Sequence, residues 1–289
     1  MDNSVTNLKL YENTLIVTGA VGRIGRALRG QWSGAVAGQT VLWSARRPGQ
    51  GIDIAWDIGI DIAPPLPKGS IFLHLAGQTR GSAAELAENR RSTAALCVAA
   101  RNCGARHVFY MSTSAVYRPQ PTPIDEMQTP DPVSAYGRAK LDSERIIRSL
   151  AFPFGLTILR LGNLAGADAL LSSARRGPVI LDPIPGQSGG PERSYIGPRA
   201  LAAALGALIA KAVQQESLPS ILNLAQGPAL PMADLLTAYG ARWQFGPPRP
   251  EAIARVTLST ARLRTCVDLP DATATGIVAD LNSLKALWP

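Results

Sequence analysis

Residues 14–32 read TLIVTGAVGRIGRALRGQW, and this stretch decides the fold. Its first five residues predict a short buried strand, whereas the pattern from Arg23 to Trp32 predicts a helix. Between them, glycines recur at every third position, where a Cβ would block a tight turn and keep backbone N–H groups away from a phosphate at the helix N-terminus. A strand, such a turn and a helix predict a dinucleotide site rather than a plain glycine loop. The predicted cofactor contacts in the turn are Gly19, Gly22, Arg23, Ile24 and Gly25.

The alternation of short apolar runs and longer amphipathic segments continues to about residue 160. Repeated units of this kind predict an α/β fold with a Rossmann-like, doubly wound parallel sheet. The predicted strands are Thr14–Thr18, Thr40–Ser44, Ser70–Leu75, His107–Ser112 and Leu156–Leu161. The predicted helices between them are Arg23–Trp32, Ala83–Asn102 and Tyr136–Leu150.

The rest of the chain has a different composition. Prolines and glycines crowd residues 178–191, which predicts an irregular, substrate-facing loop region. Beyond it, the pattern predicts a helix, a strand and a helix at Arg199–Gln215, Ile221–Leu224 and Met232–Tyr239. We therefore expect a dinucleotide-binding domain at residues 1–163 and a small, partly irregular C-terminal substrate lobe at residues 164–289. Within that lobe, residues 194–224 are expected to return to the Rossmann core.

Composition and charge limit the possible classes of protein. A chain of 289 residues with 46% hydrophobic content can bury a large core, which favours a globular enzyme. Neither Met1–Tyr11 nor any later run suits a signal peptide or a membrane span, so we expect a cytoplasmic protein without a membrane partner. The net charge of +8 is scattered, which predicts an anionic small-molecule partner rather than nucleic acid. Three cysteines without Cys-x-x-Cys spacing and two histidines in predicted buried strands indicate no metal site.

Cofactor preference is indicated by the end of the second predicted strand, which reads Ser44-Ala45-Arg46-Arg47. An acidic residue there would bond to the adenosine ribose of NAD, but no carboxylate is present. The Ser44 hydroxyl and the two guanidinium groups suit a 2′-phosphate instead, so the chain is predicted to prefer NADP over NAD. The alternative is that Arg46 and Arg47 are solvated loop charges.

A candidate catalytic group follows the strand predicted at His107–Ser112. The strand ends in a hydroxyl cluster, STS at residues 112–114, and YGRAK follows at residues 136–140. On a helix, Tyr136 and Lys140 share one face and are separated by about 6 Å of rise. A nearby cation favours a phenolate, which makes Tyr136 a usable general acid or base. The alternative is an incidental pair on an exposed helix.

Together these motifs carry a resemblance to a known family. Besides the glycine turn and the Tyr-x-x-x-Lys pair, the chain has Asp57-Ile58, HLAG at residues 74–77 and Asn89 in a predicted helix. Over roughly residues 15–224 it resembles the extended short-chain dehydrogenase/reductase family, also called the NAD-dependent epimerase/dehydratase family. The resemblance implies that Asp57 and Ile58 lie at the adenine. It implies further cofactor contacts by Leu75, Ala76, Gly77, Tyr136 and Lys140.

The resemblance also implies roles in a reaction. Thr113, four residues before Tyr117, would hydrogen-bond the substrate oxygen. Tyr136 would transfer the proton of that oxygen, and Lys140 would bind the nicotinamide ribose. The predicted substrate contacts are Gln78, Ser114, Asn163 and Arg193. Asn163 and Arg193 resemble residues that contact a nucleotide sugar, although Gly197-Pro198-Arg199 stands where relatives usually carry an aspartate. Gln78 could equally be a solvated loop amide. A homodimer through the helices at Ala83–Asn102 and Tyr136–Leu150 is implied as well.

Three functions are compatible with these residues. The first is an NAD(P)-dependent oxidoreductase or epimerase that transfers a hydride at a carbonyl or hydroxyl carbon of a nucleotide sugar or a related polar metabolite. The second is a reductase of a small non-nucleotide ketone or aldehyde. The third is a non-catalytic Rossmann protein that senses NADP or binds a partner, which the retained Tyr136 and Lys140 disfavour.

Overall fold

The computed structural model describes residues 13–150 and 153–283. The strands in them are β1 (Thr14–Thr18), β2 (Ala35–Val36), β3 (Gln39–Ala45), β4 (Ile54–Ala55), β5 (Ile71–His74), β6 (His107–Thr113), β7 (Gly155–Leu161), β8 (Asn163–Leu164), β9 (Val179–Leu181), β10 (Glu192–Arg193), β11 (Tyr195–Ile196), β12 (Ile221–Leu224), β13 (Leu230–Pro231), β14 (Trp243–Phe245) and β15 (Arg255–Val256). The helices are α1 (Arg23–Arg29), α2 (Ala83–Asn102), α3 (Ala135–Ser149), α4 (Ala169–Ala174), α5 (Pro198–Val213), α6 (Met232–Tyr239), α7 (Ala261–Arg264) and α8 (Ala274–Asn282).

The central sheet has the strand order β12-β7-β6-β5-β1-β3-β2, with β4 beside β3. Its neighbours are parallel except for β2, which runs antiparallel to β3. From β1 the chain first extends the sheet on one side with β3 and then crosses to β5 on the other side. Ligands bind at such a reversal of strand order, beyond the carboxyl ends of the strands. The predicted doubly wound parallel sheet is confirmed.

Both faces of the sheet are covered, because successive side chains of a strand point to opposite faces. In β1, Leu15 and Val17 pack in the same cluster as Leu205 and Leu208 of α5. Ile16, between them, packs in the opposite cluster with Leu96 of α2 and Ile147 of α3. This two-sided burial explains why the parallel strands read as nearly continuous apolar runs.

The second half of the chain completes the core and adds a smaller lobe. Helix α5 packs on the central sheet and strand β12 pairs with β7. The lobe has its own core of side chains from α4, α6 and α8. Residues 178–191, predicted to be irregular, contain the short strand β9, which pairs in parallel with β14; that part of the prediction is wrong. The pairing partner lies more than 60 residues away, so local composition could not indicate it.

Several sequence predictions concern residues outside the described ranges, or the location and assembly of the protein. Residues 1–12, on which the absence of a signal peptide was argued, lie outside the described residues. Within the described part, no helix is both long and apolar enough to span a membrane. The domain division at residue 163, the cytoplasmic location and the homodimer stay predictions.

Candidate active site

A cleft of about 510 Å³ opens at the carboxyl ends of the parallel strands. It is lined by the β1–α1 turn, the loop after β5, the end of β6, the start of α3 and the segment from the end of β7 to α4. These elements are far apart in the chain and meet because parallel strands end at the same edge of the sheet. The predicted site residues in its lining are Gly19, Gly22, Arg23, Ile24, Gly25, Leu75, Ala76, Gly77, Gln78, Thr113, Tyr136, Lys140 and Asn163.

The glycine turn forms one wall of the cleft. Gly19 has φ +74°, and a Cβ there would lie 2.7 Å from the backbone N of Ala76. A Cβ on Gly25 would lie 2.4 Å from the Gly19 carbonyl oxygen. Only glycine lets the backbone of the turn approach the β5 loop and α1 so closely. The cradle has the form that a dinucleotide pyrophosphate requires, so the residues present fit a nicotinamide cofactor.

The loop after β5 is held against the glycine turn by a buried asparagine. Asn89 of α2 accepts a hydrogen bond from the backbone N of Gln78 at 2.7 Å and donates to the Gln78 carbonyl at 2.9 Å. A Cβ on Gly77 would lie 2.7 Å from Asn89 Oδ1, so this clamp needs a glycine. The Gln78 backbone is thereby fixed, and Gln78 is part of the cleft lining.

Helix α3 brings the predicted catalytic side chains to the cleft. Ser134 caps the helix by accepting from the backbone N of Gly137 at 3.0 Å. At Gly137 a Cβ would lie 2.0 Å from the Ala115 carbonyl oxygen, so glycine allows the first turn of α3 to pack on the segment after β6. This packing places Tyr136 and Thr113 in the same cleft. Ser114 begins a short 3₁₀ helix and is not among the lining residues.

Tyr136 and Lys140 have different surroundings. Among the described residues, no hydrogen-bond partner of the Tyr136 hydroxyl is found, and its side chain is half-buried. Lys140 is 4% exposed, and its ammonium donates to the hydroxyl of Tyr110 at 2.7 Å. The sequence placed Lys140 beside Tyr136 on one helix face but did not indicate Tyr110, which lies on β6.

The predicted adenine-end residues lie outside the cleft lining, at the ends of β3 and β4. Ser44 is buried, and its carbonyl accepts from the backbone N of Ala20 in the glycine turn at 3.0 Å. The Arg46 Nε lies 3.4 Å from a carboxylate oxygen of Asp57. Arg47 is exposed. This end of the sheet thus carries two guanidinium groups beside one carboxylate, next to the turn.

Charged side chains that the sequence did not single out also line the cleft. Arg26 and Arg80 have no ion-pair partner within residues 13–150 and 153–283. Arg23, predicted as a cofactor contact, donates to the Ala167 carbonyl across the cleft. Asp168 is the only acidic side chain in the described lining, and it caps α4 by accepting from the backbone N of Leu171 at 3.0 Å. The cleft therefore favours an anionic ligand.

The structure separates the two residues predicted to contact a nucleotide sugar. Asn163 lies in the cleft lining and donates to the Ser194 carbonyl at 3.2 Å. Arg193 is not part of that lining. Its guanidinium donates to the carbonyls of Glu192, Ile253 and Ala254, at 2.8, 2.9 and 3.3 Å. Side-chain direction on a two-residue strand could not be foreseen from the sequence.

The two histidines are structural. Burial and the positive charge of Lys140 lower the pKa of His74 to about 3, and burial lowers the pKa of His107 to about 4. Both rings are therefore neutral at physiological pH. In the described parts of the chain, no group of three or more His, Cys, Asp or Glu side chains lies close enough to hold a metal ion.

A parallel sheet with a glycine cradle at its switch point defines a dinucleotide-binding protein of the Rossmann type. The family model described as "NAD dependent epimerase/dehydratase family" matches residues 15–181, which is more than half of the chain. The chain belongs to this family, as the motifs had predicted.

Known proteins similar to this chain agree with that assignment. A UDP-glucose 4-epimerase of Azospirillum brasilense is 35% identical over 94 residues, a match that spans 32% of this chain and 27% of that protein. The structure of the Thermus thermophilus UDP-glucose 4-epimerase in complex with NAD has a TM-score of 0.72 and 21% identity, covering 93% of this chain and 98% of that one. That of the Bifidobacterium longum UDP-glucose 4-epimerase with NAD⁺ and UDP has a TM-score of 0.75 and 19% identity, covering 95% and 98%. At these identities the structures establish the fold alone.

Proposed function

We propose that this chain transfers a hydride at a carbonyl or hydroxyl carbon of a nucleotide sugar or a related polar metabolite, with Tyr136 as the general acid or base. The observation that carries the proposal is one cleft lined by the glycine cradle, Thr113, Tyr136 and Lys140. A nicotinamide cofactor, when bound, supplies the hydride chemistry. The protein supplies the position of the substrate and the movement of the proton.

The proposed proton transfer uses hydroxyl groups that the cleft already presents. The Tyr136 hydroxyl is free to exchange its proton with the substrate oxygen, because no described residue holds it. The Thr113 Oγ1 accepts from the backbone N of Ala115 at 3.2 Å, which leaves its proton available for that same oxygen. Lys140 supplies a positive charge in the lining of the same cleft.

The substrate class rests on the charge of the cleft. The structural relatives named above are UDP-sugar epimerases, and one of them was solved with UDP. In this chain, Asn163 and the unpaired cations Arg26 and Arg80 would recognise a diphosphate. A second candidate, a small non-nucleotide ketone or aldehyde, is favoured by one observation: Arg193 is held by backbone carbonyls outside the cleft.

Native mass spectrometry of the freshly purified protein would test this proposal. We expect a mass increment of one nicotinamide dinucleotide per chain, and a further increment matching a nucleotide sugar after incubation with a mixture of such compounds. The second candidate would be favoured if the protein retained the cofactor and reduced small carbonyl compounds but bound no nucleotide sugar. Failure of the protein to bind NAD, NADP or their reduced forms would contradict the proposal itself.

We also propose that NADP is preferred over NAD, because the exposed Arg46 and Arg47 supply two guanidinium groups directly after β3, where a 2′-phosphate would lie. Replacing Arg46 and Arg47 together by alanine should weaken NADPH binding by about 10- to 100-fold, which corresponds to the loss of one charge-assisted hydrogen bond of about 1.5–3 kcal/mol, since Arg46 also pairs with Asp57. Binding of NADH should change less than about threefold. Fluorescence titration of both reduced cofactors measures the two dissociation constants.

The matched control is Arg145→Ala with Arg148→Ala, which removes the same charge from two exposed arginines on α3, a helix that packs on α2 and β6. This control should leave both dissociation constants unchanged at moderate salt, because distant exposed charges are screened. An equal loss of NADH and NADPH affinity in the Arg46/Arg47 variant would defeat the NADP assignment.

A further inference from the structure

The buried ammonium of Lys140 is hydrogen-bonded to a side chain of the protein core. Burying a cation is costly unless hydrogen-bond partners offset the hydration that it loses. Lys140 Nζ donates to the Tyr110 hydroxyl at 2.7 Å and lies 4.2 Å from the centroid of the Tyr110 ring. Tyr110 is 1% exposed and does not line the cleft. Tyr110 therefore contacts Lys140 from the side of the core, opposite the cleft.

The Tyr110 hydroxyl lies between Lys140 and Thr93 and accepts from both. An ammonium can only donate, so the Tyr110 oxygen accepts from Lys140. Thr93 Oγ1 donates its single proton to the Asn89 carbonyl at 2.7 Å. Thr93 Oγ1 also lies 3.3 Å from the Tyr110 hydroxyl with Thr93 as the donor, so the same proton is shared between the Asn89 carbonyl and the Tyr110 oxygen. The chain of bonds ends on the backbone of Asn89, the same residue that clamps the loop at Gln78.

The ring of Tyr110 is held in place by a neutral neighbour. His74 stacks on it with the ring centroids 5.5 Å apart and an interplanar angle of 20°. The His74 Nδ1 lies 2.8 Å from Thr18 Oγ1, which fixes the imidazole in turn. Because the depressed pKa of His74 keeps it uncharged, this stacking adds no second cation beside Lys140. The phenol is thus fixed both through its ring and through its hydroxyl.

We propose that Tyr110 is a positioning residue. It holds the Lys140 ammonium where its remaining N–H groups can donate to the nicotinamide ribose and to Tyr136. Of three ammonium N–H groups, the bond to Tyr110 uses one and leaves two for the cleft. This inference rests on the proposed function. It extends that function by adding a residue outside the Tyr-x-x-x-Lys pair that acts only through Lys140.

The test is a double-mutant cycle read out as the NADPH dissociation constant, which needs no substrate. Tyr110→Phe keeps the ring and its stacking but removes the hydroxyl, and we expect it to weaken NADPH binding about tenfold. Lys140→Met should weaken binding at least as much. In the Lys140→Met background, adding Tyr110→Phe should change the dissociation constant less than about twofold, because its target is already absent.

Tyr117→Phe is the matched control, since Tyr117 is also buried and its hydroxyl accepts from a cation, Arg160, at 2.8 Å. It should leave the NADPH dissociation constant unchanged. Should Tyr110→Phe prove insoluble, Thr93→Val removes the next oxygen in the chain of bonds and is expected to weaken binding two- to threefold.

Three results would overturn the positioning role. They are an unchanged dissociation constant in Tyr110→Phe, the same tenfold loss in the Lys140→Met background, and an equal loss in Tyr117→Phe. The last two would show that Tyr110 acts through general packing. Failure of the unsubstituted protein to bind NADPH or NADH at all would instead contradict the proposed function, so the two failures are distinguishable.

Discussion

Replacing Tyr136 by phenylalanine is expected to lower kcat/KM for hydride transfer by about 10²- to 10⁴-fold, the usual contribution of a positioned general acid or base. The substitution removes the hydroxyl, which no described residue binds, and keeps the ring in the cleft lining. The NADPH dissociation constant should therefore change less than about threefold. Steady-state rates and a fluorescence titration of the same preparation would show the two effects separately.

Tyr239→Phe provides the control, because Tyr239 is a half-buried tyrosine on α6 that does not line the cleft. It should retain the original rate. If Tyr136→Phe retained the rate as well, another group would be moving the proton. If the unsubstituted protein bound NADPH but oxidised none of it across a broad panel of carbonyl compounds, the non-catalytic interpretation would replace the enzymatic one.

The largest expected effect on stability comes from Arg160, which is 1% exposed near the carboxyl end of β7. Its guanidinium bonds to both carboxylate oxygens of Glu144, at 3.1 and 2.7 Å, and to the Tyr117 hydroxyl at 2.8 Å. Burial opposes the charge of Arg160, but the bonds and charge of Glu144 outweigh that cost and raise its pKa. Arg160→Met would leave Glu144 buried, with the Ser112 hydroxyl as its remaining side-chain partner among the described residues.

Arg160→Met should lower the free energy of unfolding by about 3–5 kcal/mol, the usual result of breaking a buried ion pair from one side. Because whole domains are stable by only about 5–15 kcal/mol, this loss is a large fraction of the total. Urea unfolding followed by circular dichroism measures it. Adding Glu144→Met to Arg160→Met should recover most of the loss, since no unpaired charge is then buried.

Arg145→Met is the matched control for this prediction. Arg145 follows Glu144 on α3 and pairs with Asp142 at 3.1 Å, but its side chain is 69% exposed. An exposed pair of this kind contributes less than about 1 kcal/mol. Equal destabilisation by Arg160→Met and Arg145→Met would show that the buried pair contributes no more to the free energy of unfolding than the exposed pair does.

The parts of the site that were predicted correctly depend on short spacings. The glycine turn needs three small residues within one strand–turn–helix unit, and its geometry follows from the missing Cβ atoms at Gly19 and Gly25. The approach of α3 to the cleft likewise follows from a Ser cap and from Gly137 beside Tyr136. In each case the decisive contacts lie within one or two neighbouring elements.

The parts that were missed depend on which strands become neighbours. Lys140 meets Tyr110 because α3 packs on β6, 30 residues earlier in the chain. Arg160 contacts Glu144 because β7 packs against α3. Arg193 turns toward the backbone of residues 253–254 because β10 pairs with β15. No local pattern distinguishes these arginines and tyrosines from exposed ones.

The sequence alone determined the Rossmann-type sheet, the dinucleotide cradle and the family, because strand period, glycine spacing and the Tyr-x-x-x-Lys pair are properties of adjacent residues. Tertiary structure decided the environment of each charge. Arg160 and Lys140 are buried and hydrogen-bonded to other side chains, whereas Arg26 and Arg80 line the cleft without an ion-pair partner among the described residues. The physical reason is that burial and pairing of a charge depend on groups brought together across the sheet, whereas backbone conformation depends mainly on the residue itself and its immediate neighbours.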